Sequence, residues 1–244
     1  MDIKASVLQR VSEWERAALD DECRHCAIRS SALFAELTDE DFERIHRPID
    51  RVRLAPGAVI FNDGDAAEAL FTVRRGAVKI EHVLPDGRSR ITAMHHAGDL
   101  IGLSGYAARR HDARAVALTE VELCRLPVSL LRELEACSPR LQAGLEAKWL
   151  AALREANAWL TELSVGSIGA RVARLLLKFP ADPEDRITVC SRQDMGAMLG
   201  GVALETVSRV MSRFQREGVL ESLDRVGRVY RADLAALRRI AADG

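Results

Sequence analysis

Five cysteines give the chain its most reactive side chains, and two of them are closely spaced. Cys23 and Cys26 flank a histidine, His25. Thiolates and imidazoles bind zinc, so this segment can hold a zinc ion if Cys124 or His46 completes a tetrahedron. Paired thiols can also form a disulfide on oxidation. Because the N-terminus shows no secretory signal, we expect a cytoplasmic protein whose cysteines are reduced thiols, metal ligands or redox groups.

A second group of polar side chains is spaced for contact with DNA bases. Glu205, Ser208 and Arg209 occupy positions i, i+3 and i+4 of a predicted helix and therefore share one face. Arginine can donate two hydrogen bonds to guanine, glutamate can accept from cytosine, and serine can bind a base edge or a phosphate. The alternative is a solvated helix face with one Glu–Arg pair. The residues of this helix that can reach phosphates, and so position a protein on DNA, are Thr206, Arg213 and Arg216.

The elements around this face predict a helix-turn-helix. Ser191, with Asp194 three residues later, resembles a capping box and predicts a helix start. We expect that helix to end at Gly200-Gly201, and a second helix to begin near Ala203 and end at Gly218. Two short helices joined by a glycine turn place the second helix in the DNA major groove. The inner face of the second helix is predicted to consist of Val207, Val210, Met211 and Phe214.

The rest of the chain divides into three predicted segments. Residues 1–48 are expected to form an N-terminal helical segment that carries the cysteine pair, because apolar residues recur there at steps of three and four. Residues 49–127 contain at least six short β-rich runs between turn signals, which predict a β-sandwich, roll or barrel acting as a sensor domain. Residues 128–163 have a continuous helical pattern, and residues 164–244 contain the helix-turn-helix. The expected fold class is α+β.

An apolar stripe on the long helical segment predicts a dimer interface. Its members recur at steps of three and four over a length that few globular helices need without a partner. A helix packed on its own domain is the alternative interpretation, but a narrow stripe with two tryptophans favours a two-helix seam. The predicted seam consists of Leu141, Leu145, Trp149, Ala152, Ala156, Trp159 and Leu163.

Charge is unevenly distributed along the chain. Lys and Arg total 35 against 36 Asp and Glu, yet residues 164–244 hold 13 basic and 10 acidic residues, and the preceding part holds 22 and 26. A basic C-terminal third is consistent with contact to nucleic acid. No stretch approaches the ~18 consecutive apolar residues of a membrane span. No P-loop, nucleophile elbow or His-Glu-x-x-His motif is present, so we do not expect an enzyme.

Four motifs resemble the CRP/FNR family of transcription regulators over roughly residues 20–240. They are Leu54-x-Pro56-Gly57-x-x-Ile60-Phe61-x-x-Gly64-Asp65, Arg75-Gly76-x-Val78-Lys79-Ile80, Ala97-Gly98-Asp99-Leu100-Ile101-Gly102 and Leu204-Glu205-Thr206-Val207-Ser208-Arg209. The resemblance implies a cyclic-nucleotide-type β-roll, a long dimerisation helix and a C-terminal winged helix-turn-helix. It also implies a homodimer on a palindromic promoter site of double-stranded DNA, and contact with RNA polymerase. Glu-x-x-Ser-Arg resembles the FNR-type branch, whose half-site is TTGAT, although the turn at 200–204 is one residue longer than usual.

The same resemblance implies a role for three cysteines. Cys23, Cys26 and Cys124 match three of the four positions through which FNR oxygen sensors hold a four-iron, four-sulfur cluster, and Ala32 stands at the fourth. An iron–sulfur cluster here needs one non-cysteine ligand, such as His25, His46 or a carboxylate. A thiol switch, a zinc site and no cofactor are the alternatives. Cys137 and Cys190 match no ligand position and are expected to pack in the interior.

The same resemblance bears on other effectors and on dimerisation. The CRP subgroup binds the cAMP phosphate just before the last long strand, where this chain has Asp112, whose charge repels a phosphate; we therefore do not expect cAMP. Haem, which some relatives use to sense nitric oxide or carbon monoxide, has His95 and His96 as candidate ligands. FNR-type sensors carry a carboxylate on the dimer helix where this chain has Ala156, so dimerisation is expected to be independent of the sensor's state.

Overall fold

The structure, a computed structural model, describes residues 15–16, 33, 50–136 and 138–243. These residues form two compact units. The first contains the described residues up to Glu81 together with Met94–Leu153, and the second contains His82–Ala93 together with the described residues from Arg154 onward. No helix among the described ranges is long and apolar enough to cross a membrane.

A β-roll of two antiparallel sheets dominates the first half of the described chain. One sheet has the strand order β1-β2-β9-β4-β7 and the other β3-β8-β5-β6. The strands are β1 (Glu15–Arg16), β2 (Asp50–Leu54), β3 (Val59–Phe61), β4 (Ala69–Arg75), β5 (Val78–Val83), β6 (Ser89–His95), β7 (Leu100–Ile101), β8 (Arg114–Ala117) and β9 (Val121–Pro127). The cyclic-nucleotide-type roll expected from the sequence is therefore present.

Apolar alternation and glycine turns explain the roll. Val73, Val78 and Leu123 are essentially inaccessible and belong to the cluster between the sheets. Gly76 has a φ of +84°, and a Cβ there would lie 2.2 Å from the carbonyl oxygen of Glu120, so only glycine fits this turn. The predicted β-rich runs of residues 49–127 form strands, whereas the sequence analysis identified none of β1, β2 and β7.

The N-terminal helical prediction is wrong where the structure describes it. Glu15 and Arg16 form strand β1, with Glu15 opposite Arg51 and Arg16 opposite Asp50 in β2. Pairing with the edge of the sheet supplies hydrogen-bond partners that a local helical pattern does not reveal. Apart from Leu33, which is buried, the rest of residues 1–48 lies outside the described residues.

The continuous helix predicted over residues 128–163 is instead two helices. They are α2 (Val128–Glu135) and α3 (Pro139–Ser164), preceded by the short α1 (Leu103–Ala108). Pro139 has no backbone N–H and cannot continue a helix, whereas it suits a first helical turn. The Ser138 hydroxyl accepts a hydrogen bond from the Leu141 amide at 3.3 Å, which caps the new helix.

The predicted dimer stripe on α3 divides by burial. Leu141, Leu145, Trp159 and Leu163 are buried in the chain's own interior, whereas Trp149, Ala152 and Ala156 are exposed. The other large apolar residues exposed on this helix are Leu150, Leu153 and Leu160. At about 100° per residue, the exposed apolar face is rotated roughly a quarter turn from the predicted stripe.

The second unit combines small helices with a three-stranded sheet of order β10-β12-β11. Its elements are α4 (Ile168–Leu177), β10 (Arg186–Thr188), α5 (Arg192–Met198), α6 (Leu204–Arg216), β11 (Leu220–Ser222), β12 (Val229–Ala232) and α7 (Leu234–Ala242). Ser167 and Asp233 cap α4 and α7 through side-chain oxygens that accept backbone N–H groups. Leu175, Phe214 and Leu237 are inaccessible and form part of its core.

Candidate nucleic-acid interface

The first helix of the helix-turn-helix starts at a capped serine. Ser191 lies in extended conformation, and its hydroxyl oxygen accepts a hydrogen bond from the Asp194 amide at 3.0 Å. The same hydroxyl donates to the Asp194 carboxylate at 2.6 Å. Two hydrogen bonds thus fix the start of α5, as the sequence predicts. The helix ends at Met198 with Leu199 as its C-cap.

Glycines shape the turn between α5 and α6. Gly200 and Gly201 have φ values of +92° and +82°, a region that L side chains rarely adopt. The amides of Gly201 and Val202 both donate to the carbonyl oxygen of Gly196, at 2.9 and 3.0 Å. A Cβ on Gly196 would lie 2.2 Å from the carbonyl oxygen of Val202, so the turn packs directly against α5 at this glycine. These contacts fix the conformation of the turn that precedes α6.

Helix α6 presents one apolar and one polar face. Val207, Val210, Met211 and Phe214 are buried, as the spacing predicts. On the opposite face Glu205 and Arg209 are exposed, and Thr206 and Ser208 are partly exposed. The Arg209 guanidinium donates to the Thr206 hydroxyl at 3.3 Å. Glu205 lies in the first turn, where the helix dipole favours a carboxylate.

The two remaining arginines of α6 differ in their surroundings. Arg213 is in part a packing residue: its guanidinium lies 5.4 Å from the centre of the Phe214 ring and 3.8 Å from the Glu217 carboxylate. A Cβ on Gly169 would lie 2.4 Å from one of its nitrogens, so Arg213 also covers the start of α4. Arg216 is exposed near the end of α6. Arg216 is thus the simpler candidate for a phosphate contact.

The wing between β11 and β12 carries cations that the sequence analysis missed. The Asp224 carboxylate accepts the amides of Arg228 and Val229 at 2.9 and 3.2 Å, which closes the loop. Arg192 at the start of α5 donates to the Gly227 carbonyl at 3.2 Å and so ties the wing to the helix-turn-helix. Arg225 and Arg228 are exposed there. The sequence could have indicated them, because Arg225 and Arg228 lie on either side of Gly227, the glycine between two strand-like runs.

The predicted sensor cysteines are only partly described. Cys124 lies on β9, half buried, opposite Arg51 of β2 and Thr72 of β4. Cys23 and Cys26, together with His25, Ala32, His46 and Cys137, lie outside the described residues. Cys190 is buried just before α5, as expected of a packing residue. No group of three or more His, Cys, Asp or Glu side chains able to hold a metal ion occurs within the described ranges.

Asp112, which the resemblance places where cAMP-binding relatives hold the phosphate, is engaged by a neighbouring hydroxyl. The Asp112 carboxylate accepts a hydrogen bond from the Ser104 hydroxyl, in the first turn of α1, at 2.6 Å. The candidate haem ligands lie nearby in sequence: the His95 imidazole is 3.9 Å from the Asp99 carboxylate, and the His96 amide donates to that carboxylate at 2.8 Å. Asp99 therefore contacts His95 through its imidazole and His96 through its backbone amide.

Comparison with known proteins agrees with this architecture. The sequence profile of the cyclic nucleotide-binding domain matches residues 51–136, and that of the Crp-like helix-turn-helix domain matches residues 170–240. The transcriptional activator protein FnrA of Stutzerimonas stutzeri is 31% identical over 215 residues, covering 85% of this chain and 88% of that protein. The transcriptional activator protein anr of Pseudomonas aeruginosa is 30% identical over the same coverage. The chain belongs to the CRP/FNR family.

Solved structures of CRP/FNR regulators show the same fold. FixK2 from Bradyrhizobium japonicum has a TM-score of 0.71 and 26% identity, covering 78% of this chain and 96% of that one. A CRP-family transcriptional regulator from Thermus thermophilus has a TM-score of 0.66 and 27% identity at the same coverage. This CRP/FNR protein is therefore a DNA-binding transcription regulator, and its relatives are regulators rather than enzymes.

Proposed function

We propose that this CRP/FNR regulator reads a TTGAT-like palindrome as a homodimer, with one α6 helix in each half-site. Glu205, Ser208 and Arg209 would face the bases, and Thr206, Arg213 and Arg216 would bind phosphates. One observation carries the proposal: α6 buries its apolar face in a winged helix-turn-helix while its first turns leave those side chains accessible. A half-exposed serine, a glutamate and an arginine together can discriminate base pairs in the major groove.

Selection from random double-stranded DNA by the full-length protein tests this proposal. We expect enrichment of an inverted repeat with TTGAT-like half-sites whose centres are about one helical turn apart. Binding that shows no sequence preference and weakens steeply with salt would contradict it, because phosphate contacts alone produce that behaviour. The longer turn before Leu204 makes the half-site sequence informative, since a shifted register of Glu205 changes the base that it meets.

The exposed face of α3 is the proposed dimer interface. Trp149, Leu150, Leu153 and Leu160 leave large apolar side chains in solvent, and from 149 to 160 this face contains no charged residue. Ala156, where the resemblance implies a carboxylate in FNR oxygen sensors, is exposed at the edge of this face. We infer that a second copy covers this face, because family members are dimeric and identical apolar helices can pair symmetrically. The other residues of the predicted seam are buried inside the single chain, so we propose that they pack within one protomer. They are Leu141, Leu145, Trp159 and Leu163.

The proposed signal acts through Cys23, Cys26 and Cys124. Two described residues of the N-terminal segment lie near Cys124: Glu15 pairs with Arg51, which is itself opposite Cys124, and Leu33 belongs to the apolar cluster that Cys124 contacts. Leu33 follows Cys26 by seven residues, a span of at most about 25 Å. Chain length therefore permits Cys23 and Cys26 to approach Cys124, as a four-iron, four-sulfur cluster with one non-cysteine ligand or a thiol switch requires. Bound there, a cluster would supply sensitivity to oxygen or oxidants.

Anaerobic purification tests the signal. Iron and acid-labile sulfide, with a visible charge-transfer band that is lost in air and absent from Cys124→Ser, would support a cluster. A metal-free protein with air-dependent loss of free thiols would support the thiol switch. Bound zinc would support the zinc site. A colourless, metal-free protein whose free-thiol content and DNA affinity do not change on oxidation would contradict redox sensing.

Two finer proposals concern partners and ligands. We propose that the DNA-bound dimer contacts RNA polymerase, which transcription in vitro from a promoter carrying the selected site would test. We also propose that cAMP is not the effector, because the Asp112 carboxylate already accepts the Ser104 hydroxyl where a phosphate would need donors. Calorimetric titration with cAMP should give no saturable binding, whereas micromolar affinity would contradict the proposal.

A further inference from the structure

The end of α3 is capped by side chains from the next helix. The last carbonyls of a helix have no partner within it and need donors from elsewhere. Arg174 of α4 donates from one terminal nitrogen to the carbonyls of Glu162 and Val165, at 3.1 and 2.6 Å. Arg171 donates from Nε to the Leu163 carbonyl at 2.8 Å. Two guanidinium groups thus hold the final turn of α3 against α4.

Arg171 also reaches the helix-turn-helix. Its second donor, Nη2, binds the carbonyl of Leu199, the C-cap of α5 immediately before Gly200. Burial lowers the pKa of Arg171, and the neighbouring Arg90 lowers it further. Its charge is retained because arginine is not deprotonated in proteins and both acceptors are helix C-termini, where the dipole is negative. A single planar side chain therefore joins the end of α3 to the end of α5.

Lys178, the C-cap residue of α4, makes a second attachment to α3. Its ammonium lies 3.0 Å from the Glu155 carboxylate and 3.2 Å from the Glu162 carboxylate of α3. It also lies 5.6 Å from the centre of the buried Trp159 ring between them. Burial lowers the pKa of Lys178, but Glu155 and Glu162 outweigh burial and the net pKa is raised. The ammonium is thus charged across the neutral pH range and bridges two turns of α3.

We propose that Arg171 and Lys178 are positioning residues that fix the helix-turn-helix on the C-terminal part of α3, and so set the half-site spacing that the dimer accepts. The inference rests on the proposed palindrome-binding function. Adding one base pair between half-sites moves one of them by about 3.4 Å along the DNA axis and rotates it around that axis. A joint held by a forked guanidinium and a doubly paired ammonium resists such a displacement, and a loosened joint permits it.

The test is the ratio of dissociation constants for the best spacer and for a spacer one base pair longer, measured with full-length dimer. We expect the wild type to prefer its best spacer by at least about tenfold, since misplacing a half-site costs no less than one mismatched base pair. Arg171→Lys, which keeps the charge but loses the fork, should reduce this ratio at least threefold. Lys178→Gln should also reduce the ratio at least threefold, whereas Lys178→Arg, which keeps the positive charge, should retain the wild-type ratio.

Two controls separate positioning from stability. Leu237→Ala removes a fully buried side chain of the same unit and should lower the melting temperature without changing the spacer ratio. Arg238→Gln, an exposed arginine on α7, should change neither. A wild-type preference that Arg171→Lys and Lys178→Gln both retain would overturn the positioning role alone. The absence of any spacer preference in the wild type would overturn the proposed palindrome function itself.

Discussion

Leu153→Ala is predicted to weaken the dimer while leaving the protomer folded. Leu153 is 59% exposed in the single chain, so a partner covering α3 would bury that fraction. Truncation to alanine removes about three methylene equivalents at roughly 0.8 kcal/mol each when fully buried. Scaled by the exposed fraction and counted for both protomers, the loss is about 2–3 kcal/mol, or about a 30- to 150-fold rise in the dimer dissociation constant. Alanine also preserves helix propensity.

Leu145→Ala is the matched control on the same helix. Leu145 is 4% exposed and packs in the apolar cluster with Leu33, Leu130 and Leu141. Its truncation should cost about 2–5 kcal/mol of the free energy of unfolding without a direct effect on dimerisation. Sedimentation equilibrium gives the dimer constant, and urea unfolding gives the stability. A weaker dimer for Leu145→Ala together with an unchanged dimer for Leu153→Ala would refute the assignment of the exposed face and favour the stripe predicted from spacing.

Three further predictions concern the chain's local packing. Gly196→Ala should lower the melting temperature and DNA affinity together, because its Cβ would lie 2.2 Å from the Val202 carbonyl; an unchanged melting temperature would show that the turn adapts. Ser191→Ala should cost about 0.5–2 kcal/mol of unfolding free energy, since it removes the cap of α5; urea unfolding measures it, and a loss well below that range would mean that the cap contributes little. Burial lowers the pKa of His111, with Asp65 and Asp112 opposing only in part, and its buried Nδ1 has no hydrogen-bond partner among the described residues. The unfolded state therefore binds more protons, so stability present above about pH 6.5 should fall on acidification. Between pH 7.5 and 5.5 His111→Leu should lose less stability than the wild type, and equal losses would contradict this origin.

Local patterns predicted the elements that bury one face and expose the other. Asp86 and Gly87 form the tip of the β5–β6 hairpin, where the Leu84 amide donates to the Arg88 carbonyl, because aspartate–glycine turns are specified by nearby residues. The inner face of α6 followed from spacing for the same reason. These features depend on backbone geometry and burial within about a dozen residues.

Features that depend on distant partners were not predictable in this way. The apolar spacing correctly predicted that residues 139–164 are helical. Spacing alone does not show that Leu145 packs inside the chain whereas Leu153 is exposed. The helix break at Ser138 required the cap as well as Pro139. Arg171, whose two acceptors are the carbonyls of Leu163 and Leu199, carries no local signature at all.

Affinity measurements on two arginine variants of α6 test the central claim most directly. On the selected palindrome and its single-base variants, Arg209→Ala should cost about 1–3 kcal/mol and relax the preference at one base pair of each half-site. Arg216→Ala should weaken all sequences equally and flatten the dependence of affinity on salt. Wild-type affinity and wild-type base preference in Arg209→Ala would contradict the account that α6 reads DNA through this face.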